Sequence, residues 1–299
     1  MSDGITLFKG GWRYLVPNGL TATNLTFGTM SCFFSVYGNA YLAGWFILLA
    51  VCFDRFDGAA ARALKATGKF GVEFDSLADL VSFGMAPAMM VFSSLVRDPS
   101  LGYNEPGLPR TLLFAACGFY VLAVAFRLAR FNVYAQASGS GVYFGLPSPA
   151  GASVVVSFFL MLLKYSGQPE HYTPWGADLA LLGPVTIDPA FREYFPVLVA
   201  VTALLMVAGL KVPKFRVGRG VGSLYIVLNM VIIYLCVFLR VFPEFLAFAS
   251  VQVLLVSTSY HFFWPSAKEV AKQPLFEALS VAVDPVGGAR PPEGEGEED

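Results

Sequence analysis

The chain has 299 residues, of which 56% are hydrophobic and 14% are charged, and its formal net charge is -1. With a mean hydropathy of +0.62, this composition excludes an ordinary soluble domain and predicts an integral membrane protein. No basic run interleaved with aromatic residues occurs, so nucleic acid is not an expected partner. The four cysteines stand apart in apolar surroundings, a pattern not typical of a zinc motif or a disulfide framework.

Three regions follow from the distribution of apolar and polar residues along the chain. Residues 1–16 mix aromatic side chains with Lys and Arg, which predicts a cytoplasmic segment lying at the membrane interface. Residues 17–264 are predicted to form the membrane domain. Residues 265–299 end in a stretch rich in Gly, Pro and Glu, which predicts a disordered cytoplasmic tail.

The membrane domain contains apolar segments separated by Pro, Gly and charged residues. A helix needs about 20 mostly apolar residues to cross a bilayer, and about eight segments approach this length. We therefore predict an all-α fold, a polytopic membrane helix bundle with about eight transmembrane helices. The predicted spans are 20–37, 41–64, 70–95, 111–134, 149–165, 194–210, 221–242 and 245–264.

The distribution of Lys and Arg between the two sides of the membrane predicts the orientation. If the amino terminus is cytoplasmic, fifteen of the twenty Lys and Arg residues lie on the cytoplasmic side. We therefore expect a protein of the cell membrane with both termini in the cytoplasm. The cytoplasmic ends of the second and third spans then carry the most polar part of the membrane domain.

Four aspartates lie in that polar part. Asp54 and Asp57 are three residues apart, and Asp75 and Asp79 are four apart, so each pair shares a helix face. A charged residue inside a spanning helix costs at least about 2.5 kcal/mol, which argues against four carboxylates facing lipid. Four carboxylates facing one another repel unless protons or cations lie between them. A divalent metal is the simplest explanation, and hard oxygen ligands suit Mg²⁺ or Mn²⁺. Their spacing predicts a divalent metal site but leaves open which carboxylate acts as a base.

Small residues and one arginine lie between the aspartates. Gly58, Ala61 and Gly71 give the two helices faces on which either another helix or a ligand can approach the backbone closely. Arg62 supplies a positive charge of the kind that binds phosphate. Beside four aspartates, this pattern favours a site for a metal-bound polyphosphate over close packing alone.

The aspartates and the residues between them resemble a known family signature. The pattern Asp-x2-Asp-Gly-x2-Ala-Arg-x8-Gly-x3-Asp-x3-Asp, from Asp54 to Asp79, is similar at every position to that of the CDP-alcohol phosphotransferases. The resemblance implies a membrane enzyme that moves a substituted phosphate from a CDP-linked donor to an alcohol and releases CMP. It also implies a homodimer.

The resemblance further implies roles for the signature residues. Asp54, Asp57 and Asp75 are expected to hold metal ions against the diphosphate, and Asp79 is expected to complete the metal site and to act as the general base. The expected nucleotide-contacting and packing positions are Gly58, Ala61, Arg62 and Gly71.

Four other segments are similar to the phosphatidylserine synthase branch of that family. They are 17–28, 83–88, 127–133 and 143–152. This resemblance implies CDP-diacylglycerol and L-serine as substrates, and phosphatidylserine and CMP as products.

Polar residues outside the signature are candidates for substrate binding. Arg127 and Arg130 share a face of the fourth span, and arginine binds a carboxylate such as that of serine with two hydrogen bonds. Together with Asn132 they are candidate acceptor-binding residues, although Arg side chains at helix ends also extend toward lipid headgroups. Thr21 and Asn24 are candidate nucleotide contacts, although a hydroxyl in an apolar helix also bonds to its own backbone.

Other functions are compatible with parts of this pattern. A sister enzyme that uses glycerol 3-phosphate, inositol phosphate or choline would share the aspartates, and an ether-linked lipid donor is a further alternative. An ion or proton transporter would explain carboxylates in the membrane. It would not explain Gly, Ala and Arg at these separations, and the other predicted spans lack carboxylates that would line a pathway.

Overall fold

The computed structural model describes seven stretches of the chain: 12–66, 68–137, 142–166, 181–183, 185–208, 211–213 and 221–263. These residues form nine α-helices: α1 (Trp12–Tyr37), α2 (Ala40–Ala63), α3 (Lys69–Asp79), α4 (Ala86–Arg97), α5 (Leu108–Ala137), α6 (Ser148–Tyr165), α7 (Phe195–Val207), α8 (Val221–Leu239) and α9 (Pro243–Phe263). A π-helix, Leu80–Met85, joins α3 to α4, and a 3₁₀ helix, Pro189–Tyr194, precedes α7. The predicted tail, 265–299, lies outside the described residues.

The helices are those of a polytopic membrane protein. Among the described residues, four segments are long and apolar enough to cross a membrane: Lys69–Arg97, Leu108–Asn132, Ser148–Tyr165 and Pro189–Val207. The apolar helices α8 and α9 follow, and α1 and α2 have 26 and 24 residues. At about 1.5 Å per residue, α1 and α2 also exceed the hydrocarbon thickness of about 30 Å. Each predicted span falls on one of these helical segments, so the all-α membrane fold is confirmed.

Helix α1 begins earlier than the predicted span. It starts at Trp12, inside the predicted interfacial segment, so Pro17 lies within the helix. Proline removes one backbone donor and is therefore a common helix boundary, which is why the predicted span begins after it. Residues 1–11 lie outside the described part of the chain.

The third span contains an irregularity that periodicity did not predict. Between α3 and α4 the chain makes one π-helical turn, directly after Asp79. A π-helical turn is rare and is frequently found at functional sites. Here Ser82, inside the turn, packs against Gly28 of α1, where an added Cβ would lie 2.7 Å from the Ser82 Cα atom.

Two short strands were also not predicted. β1 (Val142–Phe144) and β2 (Lys211–Pro213) pair antiparallel, with Tyr143 opposite Val212. They join the connection before α6 to the connection after α7. The backbone N–H of Leu146 continues this contact by donating to the carbonyl of Leu205 at 3.0 Å.

Helix α2 lies at the centre of the hydrophobic core. Its side chains Tyr41, Trp45 and Ile47 are fully buried, and it packs against α1, α4 and α6. At Gly44 the backbone of α2 approaches Leu160 of α6 so closely that no side chain would fit without displacing it. This packing places the carboxyl-terminal end of α2, which carries two of the aspartates, beside α1 and α3.

Candidate active site

Three of the four signature aspartates converge at one end of the bundle. Asp54 and Asp57 lie near the end of α2, and Asp75 lies on α3. One carboxylate oxygen from each residue lies within 4.8 Å of those from the other two. Asp57 is 4% exposed, so this group of acids is sheltered within the protein. The structure therefore brings together carboxylates that are up to 21 positions apart in the chain.

Asp79 adjoins this group and is also buried. It is the last residue of α3 and is 6% exposed. Its carboxyl group interacts with the neighbouring carboxyl groups of Asp54 and Asp75. The Asn24 side-chain amide donates to Asp79 Oδ1 at 3.4 Å. Asp79 is thus connected to the three converging aspartates through Asp54 and to α1 through Asn24.

Helix α1 supplies a polar wall for the acidic group. The hydroxyl oxygen of Thr21 lies 2.9 Å from Asp57 Oδ2 and 3.1 Å from the carbonyl oxygen of Pro17. These two acceptors compete for one hydroxyl proton. Thr21, a candidate nucleotide contact by sequence, therefore contacts a carboxylate of the acidic group directly.

The acidic group fits a divalent cation. It offers oxygen atoms only, the ligands that Mg²⁺ and Mn²⁺ prefer. Within the described residues, Asp75 Oδ1 is buried and has no hydrogen-bond partner. A buried carboxylate oxygen without a partner is costly, and a cation held by Asp54, Asp57 and Asp75 would remove that cost.

A cavity opens beside these carboxylates. It has a volume of about 110 Å³, below the roughly 300–1,000 Å³ of typical ligand pockets, so a nucleotide would extend beyond it. The lining residues come from α1, α2, α3 and the connection between α2 and α3. They are Pro17, Asn18, Thr21, Asp57, Gly58, Ala61, Ala66, Gly68, Gly71, Val72 and Asp75.

The small residues of the signature form part of this cavity. Gly58, Ala61 and Gly71 line it, and a side chain on Gly71 would lie 3.4 Å from Asn18 Oδ1. Arg62 is exposed, and its guanidinium would lie 3.4 Å from a Cβ placed on Gly58. Because Gly58 and Gly71 have no side chains, a ligand can approach the backbone at both positions. At Gly58 that ligand would also lie near the positive charge of Arg62.

The two arginines of α5 point to different partners. Arg127 is buried and donates from Nη1 to the hydroxyl oxygen of Ser148 at 2.8 Å. Its positive charge also acts on Asp54 and Asp79. Arg130 instead donates to carbonyl oxygens at the end of α7. Arg127 thus interacts with the acidic group, and Arg130 contacts the end of α7.

Asn132 links α5 to the helix that carries Asp75. Its side-chain amide donates to the hydroxyl oxygen of Ser76 at 2.9 Å. Ser76 directly follows Asp75 in the chain, so this hydrogen bond places Asn132 beside α3 and close to the acidic group.

Three polar residues of this region were not among the candidate site residues predicted from the sequence. Asn18 lines the cavity, Ser148 holds Arg127, and Ser82 donates to the backbone of α1. Asn18 and Ser148 lie in segments that resemble the phosphatidylserine synthase branch, which was the available signal. Ser82 carried no such signal, because its contact depends on the π-helix.

Comparison with known proteins agrees with the signature. The family model described as CDP-alcohol phosphatidyltransferase matches residues 14–182. A CDP-diacylglycerol–serine O-phosphatidyltransferase of Helicobacter pylori is 33% identical over 228 residues, 76% of this chain and 83% of the relative. Proteins of the same name are 34% identical in Bacillus subtilis, over 48% of this chain and 75% of the relative, and 37% identical in Saccharomyces cerevisiae, over 55% of each. The chain therefore belongs to the CDP-alcohol phosphatidyltransferase family.

Proposed function

We propose that this membrane protein is an enzyme of phospholipid synthesis that transfers the phosphatidyl group of CDP-diacylglycerol to the hydroxyl of L-serine. The products are phosphatidylserine and CMP. The observation that carries the proposal is the convergence of Asp54, Asp57 and Asp75 beside a cavity lined by other signature residues. The similarity to relatives named for this reaction supports the choice of serine.

The residues around the cavity are suited to a diphosphate. Asp54, Asp57 and Asp75 would hold Mg²⁺ or Mn²⁺, and such a cation neutralises phosphate charge and stabilises the departing oxygen. Gly58 and Gly71 leave room for a substituent close to the backbone. Arg62 adds a positive charge and Thr21 a hydroxyl to the surface on which the donor headgroup would bind. Ala61, beside Arg62, lines the cavity with a small side chain.

Asp79 is suited to accept a proton. In the proposed reaction the serine hydroxyl oxygen forms a bond to the phosphorus of the phosphatidyl group while the bond from that phosphorus to the CMP oxygen breaks. The hydroxyl proton passes to an Asp79 carboxylate oxygen. Asp79 lies beside the three converging carboxylates but is not one of them, which supports its assignment as the base. A base must also lie within hydrogen-bond reach of the attacking hydroxyl, so the proposal requires serine to bind with its hydroxyl beside Asp79.

Arg127 is suited to bind the carboxylate of serine. It is a buried cation whose charge acts on Asp79 and Asp54, and a guanidinium recognises a carboxylate with directed hydrogen bonds. Arg130 and Asn132, the other acceptor-binding candidates, would act through the helices they connect.

The reaction is tested by CMP release from purified protein. CDP-diacylglycerol is supplied with Mg²⁺ or Mn²⁺ and with L-serine, glycerol 3-phosphate, inositol phosphate or choline as acceptor. We expect release with serine, and a decrease of about 100- to 10,000-fold for Asp79→Asn, because the general base is lost. The matched control is Glu73→Gln, which changes an exposed acid on the same helix and is expected to retain full activity.

Each outcome of this assay distinguishes the alternatives. Release with a different acceptor keeps the metal site and overturns the serine assignment. Release from an ether-linked donor in preference to the diacyl donor overturns the choice of lipid. No release with any acceptor overturns the proposed reaction.

The acidic site is proposed to face the cytoplasm of the cell membrane, with both termini on that side. The Lys and Arg bias supports this orientation. Lys65 precedes and Glu105 follows the apolar helical segment Lys69–Arg97, so the proposed topology puts these two residues on opposite sides of the membrane. In intact cells, a membrane-impermeant thiol reagent should label Glu105→Cys above the background of the native cysteines and leave Lys65→Cys unlabelled. The reverse pattern would invert the proposed topology.

A homodimer is also proposed, on the family resemblance. The mass of the protein in detergent, corrected for bound detergent, should be twice the 32.3 kDa of one chain. A mass of one chain at working concentrations would contradict it.

A further inference from the structure

Asn24 is a polar residue that is completely buried in the apolar helix α1. Its side chain is 0% exposed, and it lies on α1 three residues after Thr21, so the two share a face. The Asn24 amide nitrogen donates to Asp79 Oδ1 at 3.4 Å. The side chain therefore reaches across from α1 to the last residue of α3.

The two ends of the Asn24 amide have different surroundings. The amide nitrogen is the end that faces Asp79, and it donates to a carboxylate oxygen of that residue. The amide oxygen is buried, and among the described residues it has no hydrogen-bond partner. Burying an acceptor without a donor has a free-energy cost. Asn24 is consequently a poor choice for packing alone, and the contact with Asp79 is the one hydrogen bond that its side-chain amide makes among the described residues.

The backbone around Asn24 is held against the same part of the third span. The Ser82 hydroxyl, in the π-helix that follows Asp79, donates to the Asn24 carbonyl oxygen at 3.0 Å. One turn further along α1, Gly28 lies against Ser82, where a Cβ would come within 2.3 Å of the Ser82 hydroxyl oxygen. Two contacts therefore set the position of α1 relative to the π-helix, and with it the position of the Asn24 amide relative to Asp79.

We propose that Asn24 is a positioning residue that orients the Asp79 carboxylate for proton transfer, instead of a contact of the nucleotide. This inference rests on the proposed function, in which Asp79 accepts the proton of the attacking hydroxyl. By occupying Oδ1, the Asn24 amide restricts rotation of the carboxylate and leaves Oδ2 to receive the proton. Ser82 and Gly28 keep the amide at the required distance.

Replacement of Asn24 by leucine separates this role from packing. Leucine has a similar size but donates no hydrogen bond, and it removes the buried acceptor that lacks a donor. For Asn24→Leu we expect an unfolding temperature equal to or above that of the unchanged protein, and a decrease in kcat of CMP release of about 10- to 100-fold, part of a general base's contribution. The KM values for CDP-diacylglycerol and L-serine should stay within about twofold, since the bound substrates keep their own contacts.

Ser31→Ala is the matched control. Ser31 is also fully buried on α1, its hydroxyl has no hydrogen-bond partner among the described residues, and it lies two turns beyond Asn24. This variant should leave kcat and both KM values unchanged. If Asn24→Leu is not recovered folded, Asn24→Ala takes its place with the same expected change in kcat.

The results have distinct meanings. A raised KM for CDP-diacylglycerol with unchanged kcat would identify Asn24 as a nucleotide contact and overturn the inference. An unchanged kcat, or a loss of activity that only follows a loss of folded protein, would also overturn it. If the unchanged protein itself releases no CMP, both the proposed function and this role fail, whereas an active protein that tolerates Asn24→Leu overturns this role alone.

Discussion

Arg127 and Arg130 stand three positions apart on α5, yet their guanidinium groups contact different parts of the molecule. Arg127 meets Ser148 at the first turn of α6, and its charge reaches the aspartates. Arg130 donates to the carbonyl oxygens of Val207 at 3.1 Å and Met206 at 3.4 Å. The last carbonyls of a helix lack partners within the helix, so Arg130 caps α7.

Exchange of each arginine for lysine should separate binding from stability. Lysine keeps the charge but loses the paired, planar donors. For Arg127→Lys we expect the KM for L-serine to rise by about tenfold or more, with the KM for CDP-diacylglycerol unchanged. For Arg130→Lys we expect a loss of about 1–2 kcal/mol of stability with an unchanged KM for serine. Serine titrations of CMP release and thermal unfolding in detergent measure these effects, and equal changes in serine KM for both variants would contradict the assignment.

At the scale of elements, helix α1 carries none of the four aspartates, yet it helps to set the geometry of the site. It packs against α2, α3, the π-helix and α4, and so contacts both helices that carry the aspartates. Close approach is possible because the third span meets α1 at a glycine. The π-helix then places Ser82 directly over Gly28, so the irregular turn and the glycine form one contact.

Substitution of Gly28 tests this contact. Gly28→Ala would place a methyl group 2.3 Å from the Ser82 hydroxyl oxygen and 2.7 Å from the Ser82 Cα atom. Because backbone must move to relieve that overlap, we expect a loss of about 1–3 kcal/mol of stability and reduced CMP release.

Gly19→Ala is the control for this substitution. No atom beyond its helix lies within 4 Å of a Cβ at Gly19, and alanine favours the helix over glycine by about 0.5–1 kcal/mol. The unfolding temperature should therefore stay constant or rise. A Gly28→Ala variant as stable and active as Gly19→Ala would show that α1 can shift without consequence.

At the scale of the whole molecule, buried ion pairs join helix ends on the side of the bundle opposite the aspartates. Glu244, at the start of α9, accepts from Lys164 at 3.1 Å, from the Tyr165 hydroxyl at 2.9 Å and from the Leu181 backbone at 2.7 Å. A second pair, Arg192 with Asp98, lies 2.8 Å apart. The first pair joins the end of α6 to the start of α9, and the second joins the end of α4 to the 3₁₀ helix before α7. Along α6, Lys164 lies about 25 Å from the first turn, where Ser148 contacts Arg127.

Removal of one member of the first ion pair should lower the stability of the protein and leave the kcat of the folded enzyme unchanged. Glu244→Leu leaves Lys164 buried without its carboxylate, a change that costs about 3–5 kcal/mol. The double variant Lys164→Met with Glu244→Leu should recover a large part of that loss, because no unpaired charge remains. Thermal unfolding in detergent measures both, and kcat per folded molecule below the unfolding temperature should be unchanged. A double variant less stable than Glu244→Leu, or a lowered kcat, would contradict a purely structural role.

The amino-acid sequence by itself determined the membrane class, the succession of helical spans and the convergence of the aspartates. Each depends on short-range regularity: apolar runs of spanning length, and carboxylates three or four positions apart on neighbouring helices. The Gly and Ala positions beside the aspartates were also predictable, because a close approach to the backbone requires small residues at those places.

The tertiary structure alone decided the contacts that join distant parts of the chain. Asn24 meets Asp79 across 55 positions, and Arg130 meets Val207 across 77. Equal spacing on α5 did not reveal that Arg127 and Arg130 have different partners, and periodicity did not reveal the π-helix. The physical reason is that helix periodicity sets which face a side chain occupies, whereas its partner depends on which element packs against that face, and that choice is made by the whole folded bundle.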